Sequence, residues 1–328
     1  MKKMFIMLLL ALSIITAFIA CSPAADSSSK QQSEQQATPP PAKQPTQQLS
    51  VGVLQDVDSI PLIIASQQGF FEKEGVNVKL ESFKSAPDRD SALQAGKIDG
   101  AISDMLAAVF ANEGGFYVKI TSKTNGSYKM LITKSASIDN IPAMKGKSVA
   151  ISKNTIIEYA TDRMLKEGGL NSSDIKKEVI SQMPARLEML QNGKVDAATL
   201  PEPLASIAIL NGAKQVNSSD KLGINPGVLL FTTKSIESKP NEIKAFYKAY
   251  NRAVDYLKNE PLSSYIDVLI KVAGFPEAVK GSLVLPSYNK AQAPTEKDFD
   301  SVVQWLKEKE LIKNTYTLKN VMDDQFVR

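Results

Sequence analysis

Apolar residues fall along this chain in two alternating rhythms. From Leu49, short runs such as LSVGVLQ (49–55) and VNVKLESF (76–83) favour apolar residues at every second position, the signature of a strand with an inward face. Between them SIPLIIASQQG (59–69) has the denser apolar face of a helix, with Ser59 at its cap, Pro61 in its first turn and Gly69 as its stop. The scheme continues through a helix in DRDSALQAG (88–96), a small-residue strand in IDGAIS (98–103) and a helix starting at Asp104. Strands follow in YVKITSKT (117–124) and KMLITK (129–134). A second series then runs KSVAIS (147–152), a helix in NTIIEYATDRMLKEGG (154–169), KKEVIS (176–181), a helix in PARLEMLQNG (184–193), VDAATL (195–200), a helix in PEPLASIAILNG (201–212) and GVLLFTTK (227–234). Beyond it the pattern is helical, in 240–259, 262–274, 277–283 and 295–312. Strands alternating with helices predict an α/β protein whose parallel-type sheets carry helices on both faces.

The two series also share words. LQAGKIDGAISD (93–104) and LQNGKVDAATLPEP (190–203) align at a constant offset, matching Leu93, Gln94, Gly96, Lys97, Asp99 and Ala101 with Leu190, Gln191, Gly193, Lys194, Asp196 and Ala198. Each copy is a helix, a Gly stop, a Lys-x-Asp turn, a strand of small residues and a new helix start. Gly-Lys-x-Asp is also a common helix-to-strand turn that chance can repeat, and Asp99 and Asp196 are expected to be turn residues. The matching strand and helix around the turn point instead to two lobes built alike. Ligands of open α/β sheets bind beyond the carboxyl ends of the strands, so two such lobes facing each other make a cleft.

Composition narrows what that cleft does. The chain has 328 residues, 43% hydrophobic and 23% charged, which suits about two domains. Its formal charge of +4 falls to +2 once Lys2 and Lys3 leave with the leader, and no basic block marks a nucleic-acid surface. There is no histidine and one cysteine, Cys21. Ser-His-Asp and Cys-His nucleophiles, His-ligated zinc, cysteine clusters and intrachain disulfides are thereby excluded. Residues 1–20, a basic MKK followed by an apolar run ending in Ala20, read as a secretory signal. Cys21 follows as in a bacterial lipobox, although Phe18 stands where leucine is usual, and an uncleaved anchor helix is the alternative. Residues 21–48 are rich in Ser, Gln and Pro with almost no large apolar side chain, and read as a disordered tether spanning roughly 30 Å.

At this point the residues resemble a known family. The stretch 51–80, with Pro61-Leu62, Gly69-Phe70-Phe71 and Glu74-Gly75, is similar to the opening of substrate-binding proteins of ABC importers for nitrate, sulfonate, taurine and thiamine-pyrimidine precursors. The two Gly-Lys-x-Asp segments and VMDDQFV (321–327) are similar to further parts of that family, so the resemblance spans 49–328. It implies a two-lobe periplasmic-binding-protein fold of the two-crossover type II, hinged on two crossing strands, KMLITK and GVLLFTTK. Lobe one is then 49–132 plus 231–328, and lobe two 133–230.

In that fold the ligand meets loops at strand ends: 56–59, 84–88 and 103–104 in lobe one, 152–155, 181–184 and 200–202 in lobe two. The candidates are Asp58, Ser59, Ser85, Asp88, Ser103, Asp104, Lys153, Asn154, Thr155 and Glu202. Helix N-termini there offer unpaired amides, and the short polar side chains add specific contacts. Ser59, Asp88, Asp104 and Thr155 equally suit plain helix caps, and Glu202, between two prolines, suits either an inward-pointing acid or an exposed first-turn one. Tyr128, Tyr159 and Phe231 are aromatic candidates for stacking or for packing. The acids Asp56, Asp58, Asp88, Asp90, Asp104, Glu158 and Glu202 outnumber Lys84, Arg89, Lys123 and Lys153 near these loops. That balance favours an amine, amidine or heterocycle donor, as in a thiamine-pyrimidine precursor, over sulfonate or nitrate.

The expectation is therefore a monomeric lipoprotein, held at the cell envelope through Cys21, that closes on a small polar molecule and delivers it to an ABC permease and its ATPase. Neither catalytic residues, a cofactor nor a metal enter this reading. A solute sensor of the same shape and an enzyme on the same fold, of the menaquinone-pathway type, are the alternatives.

Overall fold

The computed structural model describes residues 47–328. Ten strands run in chain order as β1 (Leu49–Leu54), β2 (Val78–Phe83), β3 (Gly100–Asp104), β4 (Val118–Lys123), β5 (Tyr128–Ile132), β6 (Ser148–Ile151), β7 (Lys176–Val179), β8 (Ala197–Pro201), β9 (Lys214–Ser218) and β10 (Gly227–Thr232). They form two five-stranded sheets of matching order, β2-β1-β3-β10-β4 and β7-β6-β8-β5-β9. Each sheet with its helices is one lobe of an α/β, periplasmic-binding-protein fold.

Each lobe contains one strand that runs against its neighbours. β10 is antiparallel to β3 and β4, and β5 is antiparallel to β8 and β9. The sheets are thus mixed rather than wholly parallel. Both reversed strands lie next to a passage of the chain from one sheet to the other, near 124–127 and 223–226. Their sides differ from the expected bounds of 132/133 and 230/231: β5 belongs to the second sheet and β10 to the first. A crossing strand arrives from the far lobe and enters at the opposite end of its sheet, so its pairing partners, not its place in the chain, decide its lobe.

The repeated turn has a job in each copy. Gly96 and Gly193 take positive φ of 68° and 63° and end their helices. The following Asp99 accepts the Ser50 amide at 2.8 Å, and Asp196 accepts the Ser148 amide at 2.9 Å. Each carboxylate therefore ties the start of its copy's central strand to the first strand of its sheet, β1 or β6. The copies differ at the next position. A Cβ on Gly100 would lie 2.3 Å from the Phe231 ring and 2.5 Å from the Leu230 carbonyl oxygen. Ala197, opposite Ile132 on β5, keeps its methyl. Gly100→Ala is expected to destabilise the protein by about 1–3 kcal/mol or more through overpacking, read as a lower urea midpoint. An unchanged midpoint would mean that Phe231 moves aside freely.

Several elements depart from the pattern. β9 was not foreseen, because KQVNS is polar and lies at an edge. The stretch 262–283 is broken into Leu262–Ser264, Ile266–Lys271 and Glu277–Gly281 rather than two continuous helices. Ser59 precedes the helix Ile60–Gln67 but does not cap it. The leader and Cys21 lie outside the described residues. Gln47 and Gln48, placed in the tether by composition, are hydrogen-bonded to Glu242 and Lys239. Among the described residues no helix is long and apolar enough to cross a membrane.

Candidate functional site

β3 and β8, the two strands of the repeat, end across one crevice. Its first-lobe wall is built by Asp56 and Asp58 after β1, Arg89 on the helix Ala86–Gln94, and Ser103 and Asp104 at the end of β3. The second-lobe wall presents Ser152 after β6, Thr155 and Ile156 at the start of the helix Ile156–Glu167, Ser181 after β7, and Met183 and Arg186 on the helix Met183–Gln191. Tyr128, the first residue of β5, stands between the walls.

The lobes are drawn together in this structure. Val57 donates its amide to the Glu202 carbonyl at 3.1 Å, Met183 to the Lys84 carbonyl at 3.1 Å, and Gln182 Nε2 to Asp88 at 2.7 Å. The Tyr128 hydroxyl donates to Asp58 Oδ2 at 3.0 Å. At the rim Trp305 Nε1 donates to Asp162 at 3.0 Å and Lys309 pairs with Asp162 and Glu158 at 2.9 and 3.1 Å. The space left between the walls is small, about 30 Å³, with room for a few water molecules. A larger guest therefore enters with the lobes apart.

The first-lobe wall is acidic and dry. Asp56, Asp58 and Asp104 are at most 4% exposed. Burial, with help from Asp58, pushes the Asp56 carboxyl up to about 7, against the hydrogen bond from the Ser59 hydroxyl. Burial also raises Asp58, opposed by the neighbouring hydroxyls of Thr124 and Tyr128 and by Arg89. Thr124 lies close without making a well-formed bond, so Asp58 Oδ1 has no partner among the described residues. Asp104 is pushed to about 6 by burial, although Arg89 and the amides of Ala107 and Ile156 favour its charge. Its Oδ1 accepts the Ala107 amide at 2.8 Å, capping the helix Met105–Glu113. The Ile156 amide belongs to the other lobe, so this carboxylate lies within reach of both. Arg89 does not neutralise the wall by itself. Its Nε and Nη2 bind Asp90 Oδ1 at 2.9 and 2.7 Å and its Nη1 the Ile102 carbonyl at 3.1 Å.

These raised values set a pH dependence. Unfolded, the acids titrate near 4; folded, Asp56 and Asp104 hold protons to about 7 and about 6. Their stabilising contribution is complete below pH ~4 and is lost as the pH rises through those folded values. The guest-free protein is therefore expected to lose stability between pH 5 and pH 7, by up to about 1.4 kcal/mol per pH unit for each group. Thermal melts in Asp56→Asn should show a shallower slope, and identical slopes in both proteins would assign the loss elsewhere.

Of the residues expected to meet ligand, Asp58, Ser103, Asp104 and Thr155 line the crevice. The others do not. Ser59 turns its hydroxyl to Asp56 and the Leu54 amide at 3.1 and 3.2 Å, so it holds the loop. Ser85 caps the helix Ala86–Gln94 and donates to Asp88 at 2.7 Å. Asp88 is exposed and bonds Gln182 across the lobes. Lys153 and Asn154 are exposed, and Asn154 at φ 58° gives its amide to Glu158 at 2.7 Å. Glu202 is buried but faces Lys129 and the Ser206 amide. Among the aromatics, Tyr159 packs edge-on against Trp305 and Phe231 against Phe246, leaving Tyr128 in the crevice. The residues missed as individual candidates are Asp56, Arg89, Ser152 and Arg186. The two arginines did carry a signal, since Arg89 and Arg186 stand at equivalent places in the repeat. Among the described residues no three His, Cys, Asp or Glu side chains converge as a metal site.

The sequence pattern of the NMT1-like family matches residues 42–266. A Bacillus subtilis protein named for binding aliphatic sulfonates is 26% identical over 235 residues, covering 68% of this chain and 70% of that one. A 4-amino-5-hydroxymethyl-2-methylpyrimidine phosphate synthase of Saccharomyces cerevisiae is 23% identical over 230 residues, covering 63% of this chain and 66% of the enzyme. Among solved structures, the alkanesulfonate-binding protein SsuA of Xanthomonas axonopodis bound to MOPS superimposes with a TM-score of 0.75 at 21% identity, covering 84% of this chain and 98% of that one.

Proposed function

The chain belongs to the NMT1-like family, and from that premise we propose that it is the solute-binding component of an ABC importer, taking up a small organic molecule that carries an amine, amidine or heterocyclic N–H donor. The observation that carries this reading is the set of three buried carboxylates on one wall of an interlobe crevice, with Asp58 Oδ1 without a hydrogen-bond partner among the described residues. An acid kept dry and partly protonated gains most from a guest that donates hydrogen bonds or brings a positive charge. A lone small oxyanion would meet these acids as like charges.

On this reading capture needs no chemistry. With the lobes apart, the guest settles on the acids of the first lobe. Asp104 sits within reach of the second lobe's Ile156 amide, so closure brings that lobe onto the guest. Binding energy is realised in full only in the closed form, and the guest thereby shifts the population toward it. The closed shape then docks on a permease. On the same reading the body is tethered to the envelope through Cys21, and no bond of the guest is broken.

Mass spectrometry of small molecules released from the purified protein is the direct test, followed by a thermal melt with each candidate added back. A nitrogen donor that raises the midpoint is the expected finding; at a hundred times its dissociation constant it adds about 2.7 kcal/mol of stability. Recovery of a nitrate or a simple alkanesulfonate as the stabilising guest would defeat the amine reading, and turnover of the guest would defeat the transport one.

A further inference from the structure

The second-lobe wall holds a cation that no carboxylate neutralises among the described residues. Arg186 is 1% exposed. Its Nε donates to the Thr199 carbonyl at 2.9 Å and its Nη1 to the Ile180 carbonyl at 2.8 Å. Nη2 forms no hydrogen bond among the described residues, and no carboxylate forms a salt bridge to the group. Burial alone shifts its pKa, lowering it to about 10, so it remains charged at neutral pH.

The repeat supplies the comparison that gives this meaning. Arg89 occupies the same place in the first copy and holds the equivalent carbonyl, that of Ile102, at 3.1 Å. There the next residue is Asp90, which neutralises the guanidinium. In the second copy the next residue is Leu187. The structural tie to the strand is thus present in both copies, while the counter-ion is present only in the first. An uncompensated buried charge is costly, and a guanidinium is well shaped to receive an oxyanion. A second, independent group lies on the same wall: Ser152 Oγ is buried, lines the crevice and has no hydrogen-bond partner among the described residues.

We infer that the guest is bipolar, with its nitrogen donor against Asp56, Asp58 and Asp104 and an oxyanion group (carboxylate, sulfonate or phosphonate) against Arg186 Nη2 and the Ser152 hydroxyl. The inference rests on the amine reading above and extends it to the other end of the molecule. Such a guest joins an anionic wall on one lobe to a cationic group on the other, so neither half alone satisfies the closed crevice.

The test uses the whole chain and three probe sets matched in length, from two to five carbons: ω-amino acids with ω-aminoalkanesulfonates, plain alkylamines, and plain alkanesulfonates. Titration calorimetry is expected to rank the two-ended probes about 100-fold above the amines. Ser152→Ala should reduce that preference several-fold. Arg186→Met should bring it within about threefold, and Arg186→Lys should retain part of it. Should Arg186→Met fail to fold, Ser152→Ala and Arg186→Lys carry the test. Equal binding of amines and two-ended probes would overturn the inference and leave the amine reading standing. Alkanesulfonates binding as tightly as the two-ended probes would overturn the amine reading as well, as would binding from none of the three sets.

Discussion

Asp58→Asn is expected to weaken guest binding about 100-fold while the guest-free protein stays folded and no less stable than before. The two halves of this expectation have one cause. Asp58 is buried with its ionised form disfavoured, and one oxygen already accepts the Tyr128 hydroxyl. Asn is nearly the same size and keeps a carbonyl for that hydroxyl, so the guest-free packing changes little. At pH 8 the variant should even gain stability, because it has no carboxylate to ionise in a dry place. What Asn lacks is a negative charge for the guest's donor. Losing one charge-assisted hydrogen bond in a desolvated site costs about 2–5 kcal/mol, and the middle of that range is roughly 100-fold or more in affinity. Calorimetry with the guest identified by mass spectrometry, alongside melts without it, separates the two halves. Undiminished affinity in a well-folded variant would remove the acids from the binding role.

Glu202→Gln is expected to do the reverse, destabilising the whole protein by about 3 kcal/mol with no selective loss of guest binding. Glu202 is 1% exposed and forms an ion pair with Lys129, itself 15% exposed, and its second oxygen accepts the Ser206 amide at 3.1 Å. Its main chain meanwhile bonds Ser127 in the passage between the sheets and Val57 in the first lobe. Removing one partner of a buried pair leaves the other charge uncompensated, a loss of about 3–5 kcal/mol. The partial exposure of Lys129 places the effect at the lower end of that range. Urea unfolding measures it, and Lys129→Met combined with Glu202→Leu should recover much of the loss, since no charge is then left unpaired. A variant of normal stability that fails to bind guest would return Glu202 to the crevice.

Asp58 and Glu202 were equally plausible ligand contacts before the fold was known, and they show where legibility stops. Both are acids at strand ends in loops that face the crevice. Asp58 became a wall residue because the chain bends after β1 and the passage near 124–127 places Tyr128 over it. Glu202 turned aside because Lys129 on the antiparallel β5, in register with Leu200 two positions before it, pairs with its carboxylate. Neither neighbour is close in the chain. The same holds for Lys153 and Asn154, whose loop begins the right helix but bends outward, and for Ser152 beside them, which bends in.

The sequence by itself determined the α/β class, the two similar halves, the place of most strands and helices, and the crevice at the ends of the repeated strands. These follow from periodicity and turn residues, which act over a few neighbours and are written in order along the chain. The tertiary structure alone decided that the sheets are mixed, that β5 and β10 sit in each other's expected lobes, that polar KQVNS pairs as an edge strand, and which acids line the crevice. It also decided that, among the described residues, Arg186 has no carboxylate partner while Arg89 has Asp90. Those outcomes depend on which distant groups pack together, because burial and pairing are properties of the whole fold and set the charge and direction of a side chain whose own neighbours leave both open.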